Sequence, residues 1–167
     1  MFDLVEGSKI VMGRAPTTAM AASAKCDYVE MKNAHSIWAV VYGGNHACGQ
    51  TITPYIATDC SSGGVTAITG GAQFWISSTA AAAAFDRMTA STNSTAASFT
   101  TNATDKLMVV RYDPAHAATV GSSFTHYTLG MSTKGAGAGA VGTESVVYHI
   151  ESRYPGYQQI IATTSST

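Results

Sequence analysis

Charged residues are scarce in this chain. Only 11% of its 167 residues are charged and the formal net charge is -1, whereas about 25% is typical of soluble domains. No run of lysine or arginine occurs anywhere. A chain with this balance exerts no long-range attraction on a phosphate backbone or an anionic lipid surface. We therefore expect neither nucleic acid nor a membrane among its partners.

Long apolar runs and a basic leader are also missing. The longest apolar stretches, such as residues 37–42, fall far short of the roughly 20 residues that a membrane-spanning helix needs. The first six residues carry the acids Asp3 and Glu6 instead of the positively charged start of a secretory signal. We expect synthesis in the cytoplasm of the producing cell.

Cysteine is rare, and its spacing indicates no cross-linked or metal-bound framework. The three cysteines are Cys26, Cys48 and Cys60, with no CxxC pair among them. An odd number without such pairs fits neither a disulfide scaffold nor a zinc site. Because free cysteine is among the most frequently buried residue types, we expect free thiols and no metal.

The chain is rich in short stretches of β-branched and aromatic residues separated by Gly, Asn, Asp and Ser. This pattern predicts eight or more short strands, and no segment has a convincing helical period. The expected fold is an all-β antiparallel sandwich, similar to a jelly roll, in a single domain over residues 1–167. Residues 1–26 would form an N-terminal arm and first strand, and residues 163–167 a flexible tail.

The clearest predicted strand covers residues 35–42, with apolar side chains on both faces. Such strands usually lie centrally and pack on each side. Residues 5–12 are predicted as a first strand that ends at Gly13 and Pro16. Further strands are predicted at residues 27–31, 50–57, 106–112, 123–131 and 144–151.

Three residues, one proline and two glycines, predict how neighbouring strands pair. Pro54 removes a hydrogen-bond donor from the strand at residues 50–57, which favours a sheet edge or a bulge. Gly70 and Gly71 separate two apolar stretches, which predicts a hairpin of residues 65–69 with residues 72–77.

The sequence motifs that usually indicate a catalytic site are either absent or lie next to the wrong secondary structure. Residues 137–142 satisfy GxGxxG, but a strand is predicted after them, where a dinucleotide site needs a helix. No GxSxG elbow occurs, the five histidines lie apart, and the acids form no paired set. We therefore expect no catalytic, cofactor-binding or metal-binding residues, and a protein that is not an enzyme.

Five segments in order resemble one family. They are DYVEMKNAH at residues 27–35, QTIT at 50–53, ATD at 57–59, LMVVRYD at 107–113 and YHIESRYP at 148–155. Together they resemble small structural proteins of tailed bacteriophages that decorate or cement the capsid.

The resemblance implies a β-sandwich with no cofactor that binds between capsomers on the capsid exterior. Its partners would be the lattice of the major capsid protein and further copies of itself, with a trimer favoured. A protein that binds only the expanded lattice stabilises that lattice by mass action, and many copies gain through multivalency.

Both ends of the chain are predicted to make the contacts, because ordered termini often dock on neighbouring molecules. The predicted contact residues are Phe2, Leu4, Val5, Arg153, Tyr154 and Tyr157. Two other functions stay open. One is a tail, spike or fibre-base component of the same virion, and the other is a carbohydrate-binding β-sandwich that uses exposed rings such as Tyr154 and Tyr157.

Overall fold

A computed structural model describes residues 8–17, 25–44, 50–61, 64–78, 87–99, 106–132 and 143–153. Within these ranges the regular secondary structure is almost entirely strand, with one 3-10 turn, Pro114–His116, leading into a single short helix, α1, Ala117–Val120. The strands are β1 (Ser8–Thr17), β2 (Val29–Glu30), β3 (Ala34–Gly44), β4 (Gln50–Ala57), β5 (Thr66–Ala67), β6 (Ala72–Ser78), β7 (Arg87–Ala90), β8 (Ala97–Phe99), β9 (Lys106–Tyr112), β10 (His126–Met131) and β11 (Thr143–Ser152).

The strands form two antiparallel sheets that pack as a sandwich. One sheet has six strands in the order β1-β11-β3-β9-β6-β7, and the other has the order β2-β10-β4-β5, with β8 also paired to β4. The core lies between them, where side chains such as Ile37, Phe74, Met108 and Ile56 are almost completely buried. The predicted all-β sandwich is confirmed.

Strand β3 lies centrally, between β11 and β9, as predicted. Its inward residues Ile37, Ala39 and Val41 are fully buried. The expectation of packing on both faces is wrong, because Val40 is only half-buried and Tyr42 is exposed. No sheet or helix among the described residues covers this second face of β3.

Strand β1 does not end at Gly13 and Pro16, as its sequence predicts, but continues to Thr17. Met12 lies opposite Val147 and Arg14 opposite Val146, so Gly13 is an extra residue in a β-bulge. A Cβ at Gly13 would overlap the Tyr148 ring. Because β1 is an edge strand, the missing N–H of Pro16 costs it no ladder bond on the open side.

The predicted hairpin around Gly70 and Gly71 is wrong. Strand β5 pairs with β4 in one sheet, whereas β6 pairs with β9 and β7 in the other. The two glycines therefore connect the sheets. Pro54 also departs from its prediction, since β4 has neighbours on both sides. It falls between the stretches of β4 that pair with β8 and with β5, so none of the described strands needs a hydrogen bond from its nitrogen on that side.

Candidate docking surfaces

The side of the six-stranded sheet that faces away from the sandwich core, here called the outer face, has an apolar middle. One row of side chains crosses all six strands in register and contains no polar member: Met12, Val147, Val40, Val109, Trp75 and Ala90. The sequence alone does not show this row, because it depends on pairings between distant segments.

The large hydrophobic side chains that are exposed in the described part of the chain all lie on the outer face. Their exposed fractions range from 37% to 54%, and they are Ile10, Met12, Tyr42, Met88 and Leu107. Ile10 lies opposite His149, and Tyr42 opposite Leu107, in the rows on either side of the apolar row. Contiguous apolar surface of this kind usually marks a site of contact with another molecule.

Two tryptophans and an arginine form the centre of the outer face. The rings of Trp38 and Trp75 stack with their centroids 5.8 Å apart, and the guanidinium of Arg111 lies 5.4 Å from the Trp38 ring. A cation over a tryptophan face contributes about 0.5–1 kcal/mol at exposed sites. The Nε of Arg111 is buried and has no hydrogen-bond partner among the described residues.

One margin of the outer face is polar. The Ser36 hydroxyl donates to a carboxylate oxygen of Glu151 and accepts from Trp38 Nε1 at 2.9 Å. Ser8 Oγ lies 2.7 Å from His149 Nε2. Nucleophilic catalysis at such a serine needs a third group that orients the histidine. The neighbouring carboxylate of Glu151 is engaged by Ser36 instead.

The two predicted contact segments join the described fold at neighbouring points. The first residue of β1, Ser8, pairs with Glu151 near the end of β11. Arg153 is exposed, and its N–H donates to the Asn33 carbonyl at 2.8 Å. The other predicted contact residues, Phe2, Leu4, Val5, Tyr154 and Tyr157, lie outside the described residues.

The sandwich interior holds tyrosine hydroxyls and a thiol whose pKa values are raised by burial. Tyr112 and Tyr127 stack at 5.0 Å, and the Tyr148 hydroxyl accepts a hydrogen bond of 3.1 Å from the Leu129 amide of the facing sheet. Burial raises the pKa of Tyr112 to about 12 and that of Tyr148 well above its usual value. Burial likewise raises the pKa of the Cys26 thiol to about 12. A thiol that stays protonated is a poor nucleophile and a poor metal ligand.

Metal ligands do not cluster in the part of the chain that the structure describes, where no three His, Cys, Asp or Glu side chains come together. Over the same ranges, no helix has the length and hydropathy required to span a bilayer.

Comparison with known proteins gives one structural similarity. No protein-family model matches the chain, and neither does any curated protein. The solved structure "Crystal structure of SPBc2 prophage-derived protein YomS" is similar over 87% of this chain and 93% of its own, with 11% identity and a TM-score of 0.45. Function has to be inferred from the surfaces of the chain itself.

Proposed function

We propose that this chain is a structural protein of a tailed-bacteriophage particle that decorates and stabilises the assembled capsid by binding between capsomers on its exterior. One observation carries the proposal. The two segments that the sequence singles out for contact join the fold at the paired residues Ser8 and Glu151. Resemblance to decoration proteins over residues 27–154 supplies the identity of the partner, the lattice of the major capsid protein.

Convergence of the two segments matters because neither is large. Phe2, Leu4 and Val5 supply three apolar side chains, and Tyr154 and Tyr157 supply two rings. Two weakly binding segments that extend from adjacent points of one rigid body assist each other, because binding of the first raises the effective concentration of the second at the capsid. Their joint affinity can then exceed either alone by a factor of about 10² or more.

The ladder between β1 and β11 provides the rigid body. It holds Ser8 opposite Glu151 and Met12 opposite Val147, and β11 is paired on its other side to β3 along its length. A binding segment anchored on such a ladder loses less conformational entropy on docking than a free tail does. Binding that requires the expanded lattice then stabilises that lattice in proportion to occupancy.

Co-sedimentation with expanded, undecorated shells of the virus that encodes the chain tests the proposal, with isolated tails as the control. We expect saturable binding to shells at a fixed ratio to the major capsid protein. The double variant Phe2→Ala/Leu4→Ala should lower occupancy at least about tenfold, which corresponds to about 1.4 kcal/mol. Thr66→Ala, at an exposed position in the other sheet, should bind like the unmodified chain.

Other outcomes point to the other functions. Binding to tails alone indicates a tail, spike or fibre-base component. If neither shells nor tails bind, while a glycan array retains the chain and Tyr154→Ala abolishes retention, the carbohydrate-binding interpretation replaces this one.

A further inference from the structure

The outer face is large enough for a stable protein interface. Six strands spaced about 4.8 Å apart, carrying rows of side chains about 7 Å apart, make a surface of roughly 700 Å². Standard interfaces bury about 800 Å² on each partner. The described fold meets the terminal segments at one end of this surface, where Ser8 pairs with Glu151.

The charges on this face are complementary to one another. Arg111 on β9 carries a buried Nε with no acceptor among the described residues. Glu151 on β11 lies on the same face, and β3 runs between the two strands. The face therefore presents one arginine and one glutamate on opposite sides of a central strand, next to the apolar row. The polar side chains of Gln73, His149 and Ser36 lie beside them.

A two-fold rotation matches these charges. If two outer faces meet about a two-fold axis that lies in the interface and runs along β3, each Arg111 is brought over β11 of the other copy. Its guanidinium then lies one row of side chains, about 7 Å along the strand, from Glu151 of that copy, a distance that the two long side chains span. An isologous contact of this kind uses one patch twice, whereas a closed trimer needs two different patches on each copy. The outer face is one continuous patch, which favours two copies over three.

We propose that the outer face binds the outer face of a second copy of this chain, with Arg111 of each copy paired to Glu151 of the other. The apolar row from Met12 to Ala90 packs within the interface, at the spacing of about 10 Å that separates stacked sheets. Bidentate pairing of a guanidinium with a carboxylate gives the contact its register as well as energy. This dimer does not depend on whether the chain binds a capsid.

The mass of the full chain in solution tests the dimer. Sedimentation equilibrium across the micromolar range should give twice the chain mass of 17.3 kDa. Arg111→Glu and Glu151→Arg should each weaken dimerisation at least about tenfold, because each places like charges together. The double exchange, Arg111→Glu with Glu151→Arg, restores opposite charges and should recover most of the affinity.

Controls separate loss of the interface from loss of the fold. Thr66→Glu introduces a charge on the other sheet and should leave the mass unchanged. Leu107→Glu, on the outer face, should give a folded monomer by circular dichroism. Trp38 and Trp75 provide a second readout, since their emission should shift to longer wavelength when dilution exposes the face.

Three results would overturn the proposal. They are a monomeric mass over the whole concentration range, a mass of three chains, or a double exchange that dimerises no better than the single variants.

Discussion

The two faces of the six-stranded sheet carry similar side chains but lie in different surroundings. On the inner face, Val41 and Met108 are completely buried. One residue along each strand, Val40 is half-buried and Leu107 is 37% exposed. An antiparallel sheet with one free face normally alternates apolar and polar side chains. The apolar row on the outer face therefore departs from this alternation, and the proposed dimer would cover it.

Ionisable groups lie on both faces of the sheet. On the inner face, burial raises the pKa of the Tyr148 hydroxyl, and the completely buried Glu144 carboxylate accepts a hydrogen bond of 3.2 Å from Gln50 Nε2 of the facing sheet. The outer face carries Arg111 and Glu151. Charged groups are costly to bury without partners. The outer face is therefore suited to contact that forms after folding, in which a partner supplies the opposite charge.

The largest expected effect comes from the pair Met108 and Leu107, which are consecutive on β9. Met108→Ala leaves a cavity in the closed core and should lower the free energy of unfolding by about 2–5 kcal/mol. Leu107→Ala removes a side chain that is already partly in water, so its cost should stay below about 1 kcal/mol. Urea unfolding of both variants gives the comparison.

Protein concentration has to be low in that experiment, below the level at which dimers persist. A Leu107→Ala cost equal to that of Met108→Ala under these conditions would mean that the outer face is covered within a single chain. A cost that grows with concentration would instead support the dimer.

A smaller effect on the free energy of unfolding is expected when either of two buried tyrosines loses its hydroxyl. Tyr148→Phe removes the acceptor of the Leu129 amide and should cost about 1–3 kcal/mol, because a buried N–H is left unpaired. The Tyr127 hydroxyl is buried without a partner among the described residues, so Tyr127→Phe should cost less than about 1 kcal/mol or stabilise slightly. Thermal unfolding would contradict this account if Tyr127→Phe were the more damaging change.

Local pattern in the sequence predicts much of the fold. The bounds of β4 and β9 agree with the predicted strands at residues 50–57 and 106–112. Each of these segments is a continuous run of strand-forming residues closed by turn residues, so local preference and tertiary position agree. The all-β class follows from many such runs.

The sequence does not predict which strands pair with each other. Gly70 and Gly71 make a turn, but a turn does not specify whether the next strand stays in the same sheet. Gly13 is a common strand terminator, yet here a bulge over the Tyr148 ring absorbs it. The outer face was not predicted, because Arg111 and Glu151 share a face only through the register of three strands.

At neutral pH the smallest expected effect is that of the buried Cys26 thiol, and this effect grows as the pH rises. The pKa of Cys26 is about 12 in the folded chain, whereas an exposed thiol titrates near pH 8.5. Above that pH the unfolded chain loses a proton that the folded chain retains, so stability falls as pH rises towards 12. One such group contributes a slope of about 1.4 kcal/mol per pH unit.

Cys26→Ala should remove that slope while adding a constant loss from the small cavity it leaves. Urea unfolding from pH 8 to 11 in the presence of a reductant separates the two, because the cavity cost does not change with pH. The curves of the variant and the unmodified chain should therefore converge as pH rises. Parallel curves would show that the thiol has the same pKa in the folded and the unfolded chain. The Cys26 side chain would then be more accessible to water than its burial indicates.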